Sequence, residues 1–156
     1  METHEAINEI LNDLVKINND RIVGYERAIT EAKDLDIDLK AIFEAMIRQS
    51  SEYKEELAGK IKQDNGIVED GTTASGKIYH AWMEIKHTFT DSDRHSILSS
   101  CEFTEDAAQR AYEAALSADT LTDAEIKQLI ADEQVGLKKS HDLIKNQRNA
   151  HKALLK

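Results

Sequence analysis

Proline is absent from the sequence. Strands, sandwiches and long loops usually carry some proline in their turns, whereas a chain built almost wholly from helix has few places that tolerate it. There is one cysteine, Cys101, so no internal disulfide can form, as is usual for a reducing compartment. No run of 18 apolar residues exists, and Met1 leads into Glu2, Thr3, His4 and Glu5 rather than into a basic segment followed by an apolar one. The expectation is therefore a cytoplasmic protein with no membrane partner. Positive charge is also in deficit: 20 Lys and Arg against 30 Asp and Glu leave a formal net charge of −10. Such a field repels phosphates and argues against nucleic acid. Also missing are a Gly-rich phosphate loop, a Gly-x-Ser-x-Gly elbow and a Cys-x-x-Cys pair.

What is present reads as one domain spanning residues 1–156, with 40% hydrophobic and 32% charged residues. That length buries about two-thirds of its unfolded surface around a single core. From Ala6 to Lys33, the residues Ile7, Ile10, Leu11, Leu14, Ile17, Ile22, Tyr25 and Ile29 recur at three- and four-residue steps, and Thr3 is placed to cap them. A second helical run opens at Asp36 or Asp38, passes through Leu39, Phe43, Met46, Ser50, Tyr53, Leu57 and Ile61, and stops at Asp64-Asn65-Gly66. Between Asn65 and Thr90 the texture changes to a turn-rich stretch. It is followed by Ile78, Trp82, Ile85 and Phe89, the spacing of a short amphipathic helix anchored by Trp82 across the bundle. A third long helix is expected from about Ser92 to Ser117, and Thr122-Asp-Ala-Glu125 reads as a capping box that opens a fourth.

Helices 1 and 2 are joined tightly, as are helices 3 and 4, so each pair should be antiparallel. The single long connection between helices 2 and 3 points to a ferritin-like antiparallel four-helix bundle with a short extra helix in that connection. A plain up-down-up-down bundle with a decorated loop is the alternative.

Polar residues on otherwise apolar faces are the informative anomalies, because a buried charge must be paired, hydrogen-bonded or bound to a metal. Aligning the helices by their joints places Glu26, Gln49, Glu102 and His141 at one height. Asn18, Tyr53, Glu105 and Glu133 fall one to two turns below. Carboxylates with one imidazole suit Fe, Mn or Zn, so the first set is a candidate metal layer or its remnant, with Glu105 and Glu133 as further candidates. A di-metal centre of the bundle type also requires Glu-x-x-His on two helices. Here Lys138 stands three residues before His141, and Gln49-Ser50-Ser51-Glu52 holds no histidine. A satisfied polar network is the competing reading. Cys101 reads as core filler, His80 and His87 as solvated. Gly24 and Gly136 inside helices suggest a kink, a bulge or a close helix contact.

The stretches Leu11-Asn-Asp-Leu-Val-Lys-Ile-Asn-Asn-Asp20 with Gly24-Tyr-Glu26, Cys101-Glu-Phe-Thr-Glu-Asp106 with Ala111-Tyr112-Glu113, and Ser140-His-Asp-Leu-Ile144 carry a resemblance over nearly the whole chain. The chain resembles an uncharacterised bacterial family of ferritin-like four-helix bundle proteins, a domain of unknown function. The resemblance implies the fold and a bacterial cytoplasmic setting, and marks Asn18, Glu26, Gln49, Glu102, Glu105 and His141 as family-like polar positions. It supplies no reaction. Three functional classes are therefore expected to compete. The preferred one is a non-enzymatic, stress-associated or structural bundle acting through assembly or a protein partner, with homo-oligomers expected from the apolar crossover helix and the flanks of the long helices. The others are a metal-binding protein and a di-iron oxidase.

Overall fold

The computed structural model describes residues 2–32, 37–71 and 94–154. Four α-helices account for nearly all of them: α1 (Glu2–Glu31), α2 (Ile37–Gln63), α3 (Arg94–Ser117) and α4 (Ala124–Leu154). No strand occurs among the described residues, and no described helix is long and apolar enough to cross a membrane. The expected short helix around Trp82, with His80 and His87, lies outside the described residues.

Local chemistry sets the end of α2 and the start of α4. At the end of α2, Asn65 adopts φ 57°, the left-handed conformation that asparagine tolerates better than most residues. The Gly66 amide then reaches back to the Ile61 carbonyl at 2.8 Å and the Asn65 amide to that of Lys62 at 3.0 Å, the paired bonds of a Schellman cap. Gly66 is required here because a Cβ would fall 2.7 Å from Asn8 Nδ2 and 2.8 Å from Ile61 Cγ2.

The start of α4 corrects the sequence reading by one residue. Asp123, not Thr122, is the cap: its Oδ1 accepts from the amides of Glu125 at 3.0 Å and Ile126 at 3.1 Å. An aspartate in this position satisfies orphan amides and also faces the positive end of the helix dipole, so it outcompetes its threonine neighbour.

Neighbouring pairs are α1 with α2, α3 with α4, α1 with α3, and α2 with α4. Their side chains bury two apolar clusters. One joins Tyr25, Ala28, Leu39, Phe43, Ile97, Leu98, Cys101 and Ile144. The other joins Ile7, Leu11, Leu14, Leu57, Ile61, Tyr112, Leu121, Ile130 and Leu137. Residues late in α1 thus meet the beginnings of α2 and α3 and the later part of α4, and residues early in α1 meet the opposite ends. Beyond α2, the chain is laid along α1. Asn12 bonds Ile67 and Glu69, Lys16 pairs with Glu69, and Asn19 bonds Asp70 and Gly71.

The capping assignment is checked by urea denaturation. Asp123→Ala should lower stability by about 1 kcal/mol, while Thr122→Ala should leave it nearly unchanged. The reverse ranking would restore Thr122 as the cap.

Candidate functional site: a buried polar layer

Along α1 the inward positions run Leu11, Leu14, Asn18, Arg21, Tyr25, Ala28 and Ala32, alternating steps of three and four residues that hold one face of a helix toward the core. Two of these positions are polar, and they sit where the two apolar clusters part. Arg21 is fully buried at 0% exposure, and Glu105 on α3 is equally so.

The Arg21 guanidinium donates from Nε at 3.0 Å and from Nη2 at 2.8 Å, both to Glu105 Oε1. Its Nη1 donates to Ser50 Oγ at 2.8 Å and Nη2 also reaches Met46 Sδ at 3.2 Å, so α2 is drawn into the same centre. The Tyr25 hydroxyl donates to the same oxygen of Glu105, and the Tyr25 ring lies 5.4 Å below the guanidinium carbon. One cation thereby ties three helices together. Burial disfavours the charged guanidinium, but the Glu105 carboxylate beside it outweighs that and holds Arg21 above its usual value. Burial, reinforced by Glu105, also pushes the hydroxyl of Tyr25 and the thiol of Cys101 well upward, so neither is a poised nucleophile.

A second carboxyl lies close by in a different environment. Glu133 on α4 is 1% exposed, and the Tyr112 hydroxyl donates to its Oε1 at 2.7 Å. Asn18 Nδ2 in turn donates to the Tyr112 oxygen at 2.9 Å. Burial raises Glu133 to about 9, aided by the carboxylate of Glu56 and opposed by the Tyr112 bond. Between these centres, Tyr53 packs against α4 at Gly136. A Cβ there would overlap the Tyr53 hydroxyl oxygen and stand 3.2 Å from Cζ and 3.3 Å from Gln49 Nε2. Gly136 is therefore a point of close helix approach, one of the alternatives its sequence position suggested.

The expected upper layer is not gathered. Glu26 is exposed on α1. Glu102 lies 2.9 Å from Arg148 Nε, and His141 lies 2.5 Å from Asp106 with Asp142 on its other side. Burial opposes the charged imidazole, yet these two carboxylates overcome it and raise His141 above its ordinary value. Gln49 accepts from Ser140 Oγ at 2.9 Å and donates to Tyr53. Glu26 thus faces solvent and Gln49, Glu102 and His141 each have a nearer partner, because equal height along a bundle does not make side chains converge. Among the described residues, no group of three or more His, Cys, Asp or Glu is placed to hold a metal ion. The donor set present does not fit a di-metal centre of the bundle type.

The lower layer fares better. Asn18, Glu105 and Glu133 are all buried: Asn18 and Glu133 meet through Tyr112, Glu105 belongs to the separate Arg21 centre, and Tyr53 lies near Glu133. Sequence reasoning missed Arg21, the residue that organises the centre. Its signal was available: Arg21 lies three residues after Asn18 and four before Tyr25, on the inward stripe. Ser50, read as a core-face residue, gained its meaning only as a partner of Arg21.

Residues 6–119 match the sequence profile described as Domain of unknown function (DUF2383). No curated protein matches the chain.

Gly136→Ala should destabilise the protein by about 1–3 kcal/mol in denaturant unfolding, overriding the helix propensity it gains. The loss should shrink in a Tyr53→Phe background. A neutral or stabilising Gly136→Ala would mean that the two helices are not this close.

Proposed function

Since this chain belongs to the DUF2383 family, a domain of unknown function, we propose that it is a non-enzymatic, ferritin-like bundle whose polar core is a degenerate metal site, the guanidinium of Arg21 supplying the positive charge. The reading is carried by one observation: Arg21 and Glu105 are both completely buried, and the cation bonds residues of α2 and α3 from its seat on α1. A metal ion draws carboxylates and other donors from facing helices to one point. Arg21 does the same without an exchangeable coordination position, and oxidase chemistry needs such a position. The ferritin-like connectivity is supported by the residues that meet: Arg21 with Ser50, Asn8 with Asp64, Arg21 with Glu105, and Asn18 with Tyr112. These pairs support an α1 that runs antiparallel to both α2 and α3, so that α2 and α3 run the same way.

The domain then acts through its surface, by self-association or through a protein partner. Self-association is supported by the exposed Val135 and Leu143 on α4 and Phe103 on α3.

Protein purified without chelator should carry no stoichiometric Fe, Mn or Zn and gain no thermal stability from any of them. Arg21→Met should cost about 3–5 kcal/mol by stranding Glu105, and Glu105→Leu added to it should recover much of that. One metal per chain that stabilises the wild type would sink the reading. In sedimentation at micromolar concentration the protein should run as more than a monomer. A monomer alone would restrict the proposal to a different partner.

A further inference from the structure

Glu133 and Glu56 set a charge problem that no described cation resolves. Glu133 Oε1 takes the Tyr112 hydroxyl proton, whose direction is dictated by Asn18: with the amide donating to the Tyr112 oxygen, the phenolic proton has to point at Glu133. Glu133 Oε2 meets no donor among the described residues. The antiparallel register that sets Gln49 against Ser140 and Tyr53 against Gly136 nevertheless brings Glu56, the next turn of α2, opposite Glu133, close enough for the two carboxyls to interact. Ionised carboxylates only accept hydrogen bonds, so two in contact, one of them buried, need a proton between them. The buried guanidinium is spent elsewhere, on Glu105, Ser50 and Met46.

We propose that Glu133 and Glu56 share a single proton at neutral pH, Glu133 as the neutral acid donating to the Glu56 carboxylate, and that this proton is a latch between α4 and α2. Glu56 is exposed, so the latch exchanges its proton with solvent even though Glu133 itself is buried. The groups that face Glu133 can be named from each element. They are Tyr112 from α3, Asn18 from α1 through Tyr112 with Arg21 beyond it, Glu56 and Tyr53 from α2, and the apolar Ile130 and Leu137 one turn away on α4. None of them offers a positive charge to an ionised Glu133 in contact. Loss of the proton would set two like charges against each other at the α2–α4 contact, the least extensive of the four helix contacts.

The sign of the pH dependence follows. The folded value lies near 9 and the unfolded one near 4.5, so across that window the folded chain holds one more proton than the unfolded chain. Stability should fall as pH rises through the window, by up to about tenfold in the folding constant per pH unit, and level off above it. His141, raised by its aspartates, adds a smaller fall in the same direction as pH climbs through its folded value.

Urea denaturation from about pH 5 to about pH 10 separates the contributions. His141→Gln should keep most of the fall, and Glu133→Gln should leave only the smaller part that His141 supplies. A Glu133→Gln profile parallel to that of the wild type would overturn the proposal. Carbon NMR of the glutamate carboxyls in the wild type does not depend on any variant folding. One carboxyl should be protonated at pH 7 and titrate near 9. If every glutamate is ionised at pH 7, the latch does not exist. An ionised pair whose signals move on adding Zn²⁺ would mean that a metal bridges the two carboxylates instead, and would equally overturn it.

Discussion

The ion pair between Arg21 and Glu105 constrains everything packed around it. Both groups are removed from water, and the desolvation penalty for each is several kcal/mol before any attraction is counted. Such a pair is weak evidence for added stability, because apolar residues of similar volume often serve as well. What it imposes is register. Sliding α1 by one turn against α2 or α3 would leave the guanidinium without Glu105 or Ser50, and an uncompensated buried charge is far more costly than an imperfect apolar contact. The two apolar clusters on either side could tolerate repacking, whereas the polar layer between them could not.

The same layer shows how environment separates two buried carboxyls on one bundle. Glu105 receives two N–H groups and a hydroxyl on a single oxygen, with a guanidinium charge beside it. Glu133 receives one hydroxyl and faces another acid. The first arrangement compensates a negative charge, and the second leaves it uncompensated, so burial drives Glu133 toward its neutral form. Tyrosines mediate in both cases because a phenol places a hydrogen-bond donor at the end of a large apolar body. Tyr25 and Tyr112 can therefore fill the core and still donate a hydrogen bond to one oxygen of each acid. Gly136 contributes by removing a side chain where Tyr53 must lie against α4.

How far the sequence could be read depended on the range of the physics involved. Helix existence and extent follow from short-range periodicity, and the ends of α1, α2 and α3 fall within a few residues of the expected positions. The stop at Asp64-Asn65-Gly66 is likewise local chemistry. The sequence alone sets the cap of α4 one residue early because Thr122 and Asp123 are both good caps, and only backbone geometry chooses between them. The candidate ligands Glu26, Glu102 and His141 share a height, a coordinate that spacing supplies. Whether they share an azimuth is a different coordinate, and it depends on helix rotation.

The sequence by itself determined that long amphipathic helices would form, roughly where each begins and ends, and that polar residues such as Asn18, Glu105 and Glu133 would be carried into the core. These are consequences of a period of 3.6 residues and of local capping. Only the tertiary structure decided which of those polar groups meet. Arg21 pairs with Glu105 across 84 positions of chain, Tyr112 serves Glu133 and Asn18 at once, and His141 turns to Asp106. Such partnerships depend on how helices rotate and slide against one another, and that is set by the packing of the whole core rather than by any segment of it.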